Sequence, residues 1–255
     1  MGIPILILGE SGTGKSASMR NFKPDEVALV NVAGKPLPFR GSFNETINSD
    51  SYRQIKKFVK ESFADTVVID DAQYLMANEF MRRSTERGYD KFTEIAVNFW
   101  DLVQSVRELP PEKIVVFMAH IERDQNGNEK IKTIGKLLDE KITVEGMFTI
   151  VLKTSVSDGK YSFETQNNGH DTVKSPIGLF PAVEIDNDLK AVIDAVREYY
   201  GNPAPAPMKP EDFPFPVTEE DIKKADAAEE AAKEEVKEET KEEAPKRTRR
   251  TRKER

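Results

Sequence analysis

The residue types and spacing best suited to chemistry lie near the start of the chain. Gly9, Gly14, Lys15 and Ser16 satisfy the pattern G-x-x-x-x-G-K-[ST]. In this pattern backbone N–H groups surround phosphate oxygens, the lysine reaches the β- and γ-phosphates, and the hydroxyl binds Mg²⁺. We therefore expect ATP and Mg²⁺ as cofactors, a catalytic role for Lys15, and a binding segment formed by Gly9, Glu10, Ser11, Gly12, Thr13, Gly14, Lys15, Ser16 and Ala17.

A second motif, TVVIDDAQYL, supplies the acidic groups that such a loop requires. Asp70 and Asp71 follow the β-branched run Val67–Ile69, which is typical of a buried strand. We predict that Ser16 and Asp70 hold the magnesium ion and that Asp71 polarises the attacking water. The alternative is that one of the aspartates caps the helical stretch that follows, a role that can coexist with catalysis.

A third candidate residue is His120, which ends the predicted strand Ile114–Ala119 and leads into a polar loop. In a parallel sheet this strand end faces the γ-phosphate. His120 would donate a hydrogen bond to that phosphate and report hydrolysis to the loop. The alternative is an ordinary surface histidine with a local partner.

The elements that must position these residues alternate along the chain. The patterns predict strands at 3–8, 27–32, 66–70, 113–119, 147–154 and 160–165, the last two joined as a hairpin through Asp158-Gly159. They predict helices at 15–21, 52–63, 92–109 and 189–200. Such alternation indicates an α/β fold, three layers with a mainly parallel sheet, and a nucleotide at the carboxyl edge of that sheet.

Composition narrows the class of protein. The 255 residues include no cysteine, so a disulfide framework or a thiolate metal site is excluded. No stretch approaches the ~20 apolar residues of a membrane span. The short apolar start lacks the basic region and cleavage site of a signal peptide. We expect a soluble cytoplasmic protein without a membrane partner.

The composition changes sharply near Gly201. Residues 1–201 carry the periodic pattern and form the predicted nucleotide-binding domain, and 202–217 read as a proline-rich linker. The charged tail, 218–255, has an acidic part at 218–243 and a basic part at 246–255. The tail either keeps the protein soluble, or binds nucleic acid through KRTRRTRKER, or docks a replication or recombination protein.

The order of these motifs resembles the RecA-like P-loop ATPase core. The loop GESGTGKS, VVIDD, the strand ending in MAH, KLLDEKITVEGMFTIVL and the stretch from Val173 to Gly201 are similar to small phage-type AAA and ATP-binding proteins, some of which are single-strand DNA annealing recombinases. The resemblance covers residues 1–201. It implies an oligomeric ATPase, slow and DNA-stimulated, that acts on single-stranded DNA in recombination or replication, in the host cytoplasm if phage-encoded.

The same resemblance makes residues 121–135 a DNA-binding loop. Phosphate contacts would come from Arg123, Lys130, Lys132 and Lys136, and polar contacts from Gln125, Asn126 and Asn128. The alternative is a plain hairpin with Asn126-Gly127 at its turn.

The chain departs from the RecA pattern at Asn31, where that family carries a catalytic glutamate, so catalysis would fall to Asp71, Glu10 or another group, or be slow. Lys136 and Lys141 are candidates for a positive charge supplied to a neighbouring subunit's γ-phosphate. Two other functions stay open: a nucleotide-dependent scaffold with little turnover, and a P-loop kinase of a small acceptor. Arg82, Arg83 and Arg87 follow the acidic motif too closely to form a kinase lid.

Overall fold

The protein is described from a computed structural model, which covers residues 1–124 and 126–201, without the side chains of Asp139 and Glu140. The predicted linker, the predicted charged tail and Gln125 lie outside the described residues.

The centre of the fold is a mostly parallel sheet. Its strands are β1 (Ile3–Gly9), β2 (Ala28–Asn31), β3 (Glu45–Ile47), β4 (Thr66–Asp70), β5 (Ile114–Arg123), β6 (Glu129–Ile131), β7 (Ile150–Ser157), β8 (Lys160–Glu164) and β9 (Glu184–Asp186). Their order is β3-β2-β4-β5-β1-β7-β8-β9, with β6 beside the end of β5. The six neighbouring strands β3, β2, β4, β5, β1 and β7 pair in parallel. Strands β6, β8 and β9 pair antiparallel with their neighbours.

Helices cover both faces of this sheet. They are α1 (Tyr52–Glu61), α2 (Gln73–Arg82), α3 (Asp90–Ser105) and α4 (Leu189–Tyr199). Apolar residues of α1, α2 and α3 form one core against the sheet, and α4 forms a second core on the opposite face. The predicted three-layer α/β arrangement with a mainly parallel sheet is therefore confirmed. In the described part of the chain, no helix is long and apolar enough to cross a membrane.

Most predicted elements are present with shifted ends. Strand β4 occupies the predicted range, and all five of its residues are buried. Strand β5 runs on past Ala119 to Arg123 because it continues into a hairpin. The predicted helix after the glycine motif is a 3₁₀ helix, Ser16–Asn21, and the helix at 92–109 begins at Asp90 and becomes a 3₁₀ turn at Val106.

Two turns predicted from their dipeptides are present in the structure. Asp158 and Gly159 both have positive φ, 51° and 75°, and join β7 to β8. Asn126-Gly127 lies at the turn between β5 and β6, where the Gly127 N–H donates to Asp124 O at 3.0 Å. Residues 121–123 and 129–131 thus pair as the hairpin of the alternative interpretation, and its role toward DNA stays a prediction.

Candidate nucleotide-binding site

Four parallel strands bring the candidate residues to one edge of the sheet. Gly9 at the end of β1 is level with His120 on β5, and Asn31 at the end of β2 is level with Asp70 on β4. Because β5 lies between β1 and β4, His120 stands between the glycine motif and the acidic motif. The sequence motifs, distant along the chain, therefore share one site.

The segment Gly9–Ser16, here called the glycine loop, folds around the side chain of Lys15. This lysine is only 6% exposed, and its Nζ donates to the carbonyl oxygens of Gly9 at 2.9 Å and Glu10 at 2.8 Å. Burial lowers the pKa of Lys15, while the nearby carboxylates of Asp71 and Asp70 act against that effect. Two backbone carbonyls thus hold a desolvated cation that an anionic ligand could take over.

The glycines of this loop are required by close approach and by backbone angle. A Cβ on Gly9 would lie 1.9 Å from Oγ1 of Thr154 on β7, an impossible contact. Gly14 has a φ of 97°, which L-residues with a side chain rarely adopt. Thr13 Oγ1 and Thr154 Oγ1 lie 2.6 Å apart, so the loop is also tied to β7.

The rest of the predicted binding segment differs in exposure. Glu10, Ser11 and Gly12 form the exposed tip, and Ala17 is half-buried in the first turn of the 3₁₀ helix. The tip therefore remains open to a ligand while Lys15 is enclosed.

Asp70 is the least satisfied acid of the site. It is 8% exposed, and its Oδ1 is buried without a hydrogen-bond partner among the described residues. Burial raises the pKa of the Asp70 carboxyl, and a side-chain hydrogen bond from Ser16 opposes the rise. Such an orphaned buried oxygen next to a hydroxyl fits a hard cation, which would satisfy both.

A Mg²⁺ ion here would have Ser16 and Asp70 as its protein ligands. The described residues contain no group of three or more His, Asp or Glu side chains able to hold a metal. Mg²⁺ is commonly bound through one or two protein groups together with water and substrate phosphates, so two groups suffice. The site fits a magnesium–nucleotide complex better than a metal bound by the protein alone.

Asp71 occupies an unusual backbone position and has two partners. Its φ is 60°, its Oδ2 accepts from Lys35 Nζ at 2.9 Å, and its Oδ1 lies 3.3 Å from His120 Nε2. Burial alone would raise the pKa of Asp71, but the hydrogen bonds from His120 and Lys35 outweigh it and lower the pKa well below its usual range. A carboxylate with such low proton affinity can orient a water better than deprotonate it.

The capping alternative for the two aspartates is wrong. Helix α2 has Ala72 at its N-cap position, and no side chain in the described ranges caps it. The side chain of Asp71 is instead committed to Lys35 and His120.

Lys35 and the structural role of Asn31 were not foreseen from sequence. The Asn31 side chain donates to Lys35 O at 2.7 Å and accepts from Lys35 N at 3.3 Å. At the position where the RecA pattern has a catalytic glutamate, the chain therefore has a residue that anchors the loop after β2. The available signal was topological, since a polar loop after β2 must lie beside the end of β4.

Besides its contact with Asp71, His120 has three further contacts. Its N–H donates to Gln73 Oε1 at 3.2 Å, its carbonyl accepts from Lys132 N at 2.9 Å, and its ring meets Tyr74 edge to face at 6.3 Å. The residue thus links the site to the start of α2 and to the β5–β6 hairpin.

The cations of that hairpin pair largely with its own acids. Arg123 lies 3.0 Å from Glu129 and 3.5 Å from Glu10 of the glycine loop, and Lys130 Nζ lies 3.8 Å from Glu122. Of the predicted polar side chains, Asn128 donates its amide to Asp124 Oδ2 at 3.1 Å, and the backbone N–H groups of Asn126 and Asn128 donate to Asp124 Oδ1. Three more predicted cations, Lys132, Lys136 and Lys141, are exposed beyond the hairpin.

Comparison of the chain with models of known protein families gave no match, and comparison with curated proteins gave none either.

Proposed function

We propose that the protein binds ATP with Mg²⁺ and hydrolyses it slowly. The observation that carries this proposal is the convergence of Lys15, Ser16 and the orphaned oxygen of Asp70 at one sheet edge. Among the residues that the structure describes, two carbonyls hold the buried ammonium group and no donor reaches the buried carboxylate oxygen. A magnesium–phosphate complex would satisfy both groups.

The proposed roles follow from the chemistry of each group. Mg²⁺, when bound, would neutralise charge on the β- and γ-phosphates. Lys15 would add a fixed positive charge there, and Asp71 with His120 would orient the water whose oxygen attacks the γ-phosphorus as the bond to the β-phosphate oxygen breaks. Asn31 has no basic group to accept the water's proton, so we expect turnover to be slow.

We further propose that single-stranded DNA is the effector and that the protein acts as a homo-oligomer. The resemblance to RecA-like cores supports this, as does the continuity of strand β5 from His120 into the hairpin. The ion pair between Arg123 and Glu10 gives the hairpin a second contact with the glycine loop. Single-stranded DNA bound at the hairpin would therefore be able to alter the nucleotide site.

The test is phosphate release by the purified protein with and without a single-stranded oligonucleotide, beside Lys15→Ala. We expect several-fold stimulation by DNA and no activity in the variant. Arg123→Ala should reduce the stimulation, whereas Arg53→Ala, at an exposed arginine of α1, should not. Normal ATP binding with a DNA-independent rate would refute the DNA link and leave the nucleotide site intact.

A nucleotide-dependent scaffold is the second candidate. It is favoured by Asn31 in place of a glutamate and by the commitment of Asp71 to Lys35. Light scattering that rises with ATP while no phosphate is released would support it. A kinase is less favoured, because the arginines that follow the acidic motif pair with nearby acids. Arg82 pairs with Asp50, and Arg83 pairs with Glu79, Glu86 and Glu94.

A further inference from the structure

Lys35 is the second cation of the candidate site and has no role in the ATP hydrolysis proposed above. Its Nζ lies 2.9 Å from Asp71 Oδ2, and its side chain is 61% exposed while that of Asp71 is 13% exposed. The lysine therefore approaches the buried carboxylate from the solvent side, where a nucleotide would enter. Electrostatic interactions connect it also to Asp70 and to Lys15.

The backbone at Lys35 is fixed although the side chain is exposed. The Asn31 side chain bonds both the N–H and the C=O of Lys35, and the Gly34 N–H donates to Asn31 O at 3.3 Å with a φ of 62° at Gly34. The loop thus turns back over the end of β2. Lys35 Nζ also lies 5.1 Å from the centre of the Tyr74 ring, which gives the ammonium group a second favourable surface.

Stability does not explain this arrangement well. Ion pairs with an exposed partner contribute little to folding. The acidic partner, Asp71, sits in left-handed backbone conformation, which is unfavourable for a residue with a side chain and recurs at functional sites. A strained acid that holds an exposed, anchored lysine at a phosphate site points to an exchangeable contact.

We propose that Lys35 distinguishes a nucleoside triphosphate from a diphosphate by exchanging its contact with Asp71 for one with the γ-phosphate. This inference rests on the proposed nucleotide site. A γ-phosphate carries more charge than a carboxylate and offers three acceptor oxygens, so it competes effectively for the ammonium group. A diphosphate ends before this position and leaves Lys35 on Asp71.

The exchange would also make Asp71 responsive to the bound nucleotide. With a triphosphate in place, Asp71 loses Lys35 and keeps His120, which is level with Gly9 of the glycine loop. With a diphosphate, Asp71 stays bridged between Lys35 and His120. The two nucleotide states would therefore differ at the start of the hairpin strand.

The test is calorimetric titration of magnesium–ADP and of a magnesium-bound non-hydrolysable ATP analogue. We expect Lys35→Met to weaken analogue binding about tenfold and ADP binding less than twofold. Lys57→Met, at an exposed lysine of α1, is the matched control and should change neither. Lys35→Arg, which keeps the charge, should retain most of the preference for the triphosphate.

A second pair of variants separates direct contact from simple neutralisation of Asp71. Asp71→Asn should bind the analogue several-fold more tightly, since Lys35 is then no longer shared. Asparagine tolerates the left-handed backbone, so this variant keeps the local fold. Adding Lys35→Met to Asp71→Asn should again cost about tenfold in analogue affinity. If the added change has no effect, Lys35 only screens Asp71 and the proposal is wrong.

The outcomes also separate this inference from the proposed function. Wild-type protein that binds neither nucleotide would overturn both. Wild-type binding that depends on Lys15, with equal effects of Lys35→Met on the two nucleotides, would overturn the role of Lys35 alone. Circular dichroism melting checks each fold, and Lys35→Gln replaces the methionine variant if that variant is unfolded.

Discussion

Two buried lysines at opposite edges of the sheet show what sets the candidate site apart. Lys15 at the carboxyl edge is 6% exposed, and Lys113 at the amino edge is 7% exposed. Each donates to two backbone carbonyls, those of Ser62 and Ala64 at 2.5 and 2.7 Å in the case of Lys113. Burial lowers the pKa of both lysines.

The difference lies in what surrounds the two ammonium groups. At the amino edge Arg197 of α4, also buried, donates to Glu112 O and to Thr66 Oγ1, both at 3.1 Å. At the carboxyl edge, Asp70 Oδ1 has no hydrogen-bond partner within residues 1–124 and 126–201, and Asp71 has a strained backbone. A buried cation is therefore not a sign of a ligand site by itself. Incomplete hydrogen bonding and backbone strain beside the cation are the informative signs.

The largest expected effect separates the two lysines by function. Lys15→Ala should weaken ATP binding at least about a hundredfold, because the phosphates lose a desolvated positive charge. Lys113→Met should leave ATP affinity unchanged. Titration calorimetry of both variants measures the contrast, and a comparable loss of affinity in both would contradict it.

The next effect separates them by stability. Lys113→Met should lower the free energy of unfolding by about 2 kcal/mol, since two buried carbonyls lose a charged donor. Lys15→Ala should lower it less, because one of the two carbonyls that lose the ammonium group belongs to Glu10, in the exposed tip of the glycine loop, where water can replace the donor. Urea unfolding of the two variants gives the comparison, and equal losses would show that both lysines are structural.

Asp70 extends the contrast to an acid. Its pKa is raised in the folded protein, so the folded state disfavours its ionised form at neutral pH. Without nucleotide, Asp70→Asn should therefore raise the free energy of unfolding by about 1 kcal/mol and abolish the Mg²⁺ dependence of ATP binding. This gain in stability should grow as pH rises above the ordinary carboxyl value of 3.8. In that range Asp70 of the wild type is ionised in the unfolded state but is still protonated in the folded state, which favours unfolding. Thermal melting at several pH values tests it, and a destabilised variant would contradict the assignment.

The smallest expected effect is a loss of stability on replacing Asp71, opposite in sign to the gain expected at Asp70. The pKa of Asp71 is lowered on folding, so its pairing stabilises the protein above the ordinary value of 3.8 and is lost as pH falls through the lower folded value. Asp71→Asn should cost up to about 1 kcal/mol at pH 7, and the difference from wild type should shrink in acid. Urea unfolding of wild type and variant at pH 7, 5 and 3.5 measures the difference in their free energies of unfolding. A difference that is the same at all three pH values would show that the pairing contributes nothing.

The parts of the fold that could be predicted are those with strong local patterns. Thr66–Ile69 is a continuous β-branched run, and the predicted limits of β4, 66–70, are those of the structure. Strands β3 and β9 have three residues each, which is too short for a period that would distinguish a strand from a loop. They form only because neighbouring strands offer free edges.

The candidate site divides in the same way. Lys15, Ser16 and Asp70 belong to motifs whose spacing carries the chemistry. Lys35 lies in a loop whose sequence has no period, and its contact with Asp71 depends on the order β2-β4-β5 in the sheet. The order of strands is set by tertiary packing, and it is difficult to predict from the local patterns of a single sequence.

The lack of room for a Cβ between Gly9 and Thr154 has a consequence for genetics. Gly9→Ala should be a loss-of-function allele because its methyl group collides with a hydroxyl on β7, not because it touches nucleotide. Thr154→Ala removes the atom at 1.9 Å and leaves Thr13 Oγ1 at 2.7 Å as the nearest obstacle. A screen for revertants of Gly9→Ala should therefore recover position 154 as a partial suppressor, far away in sequence and adjacent in space.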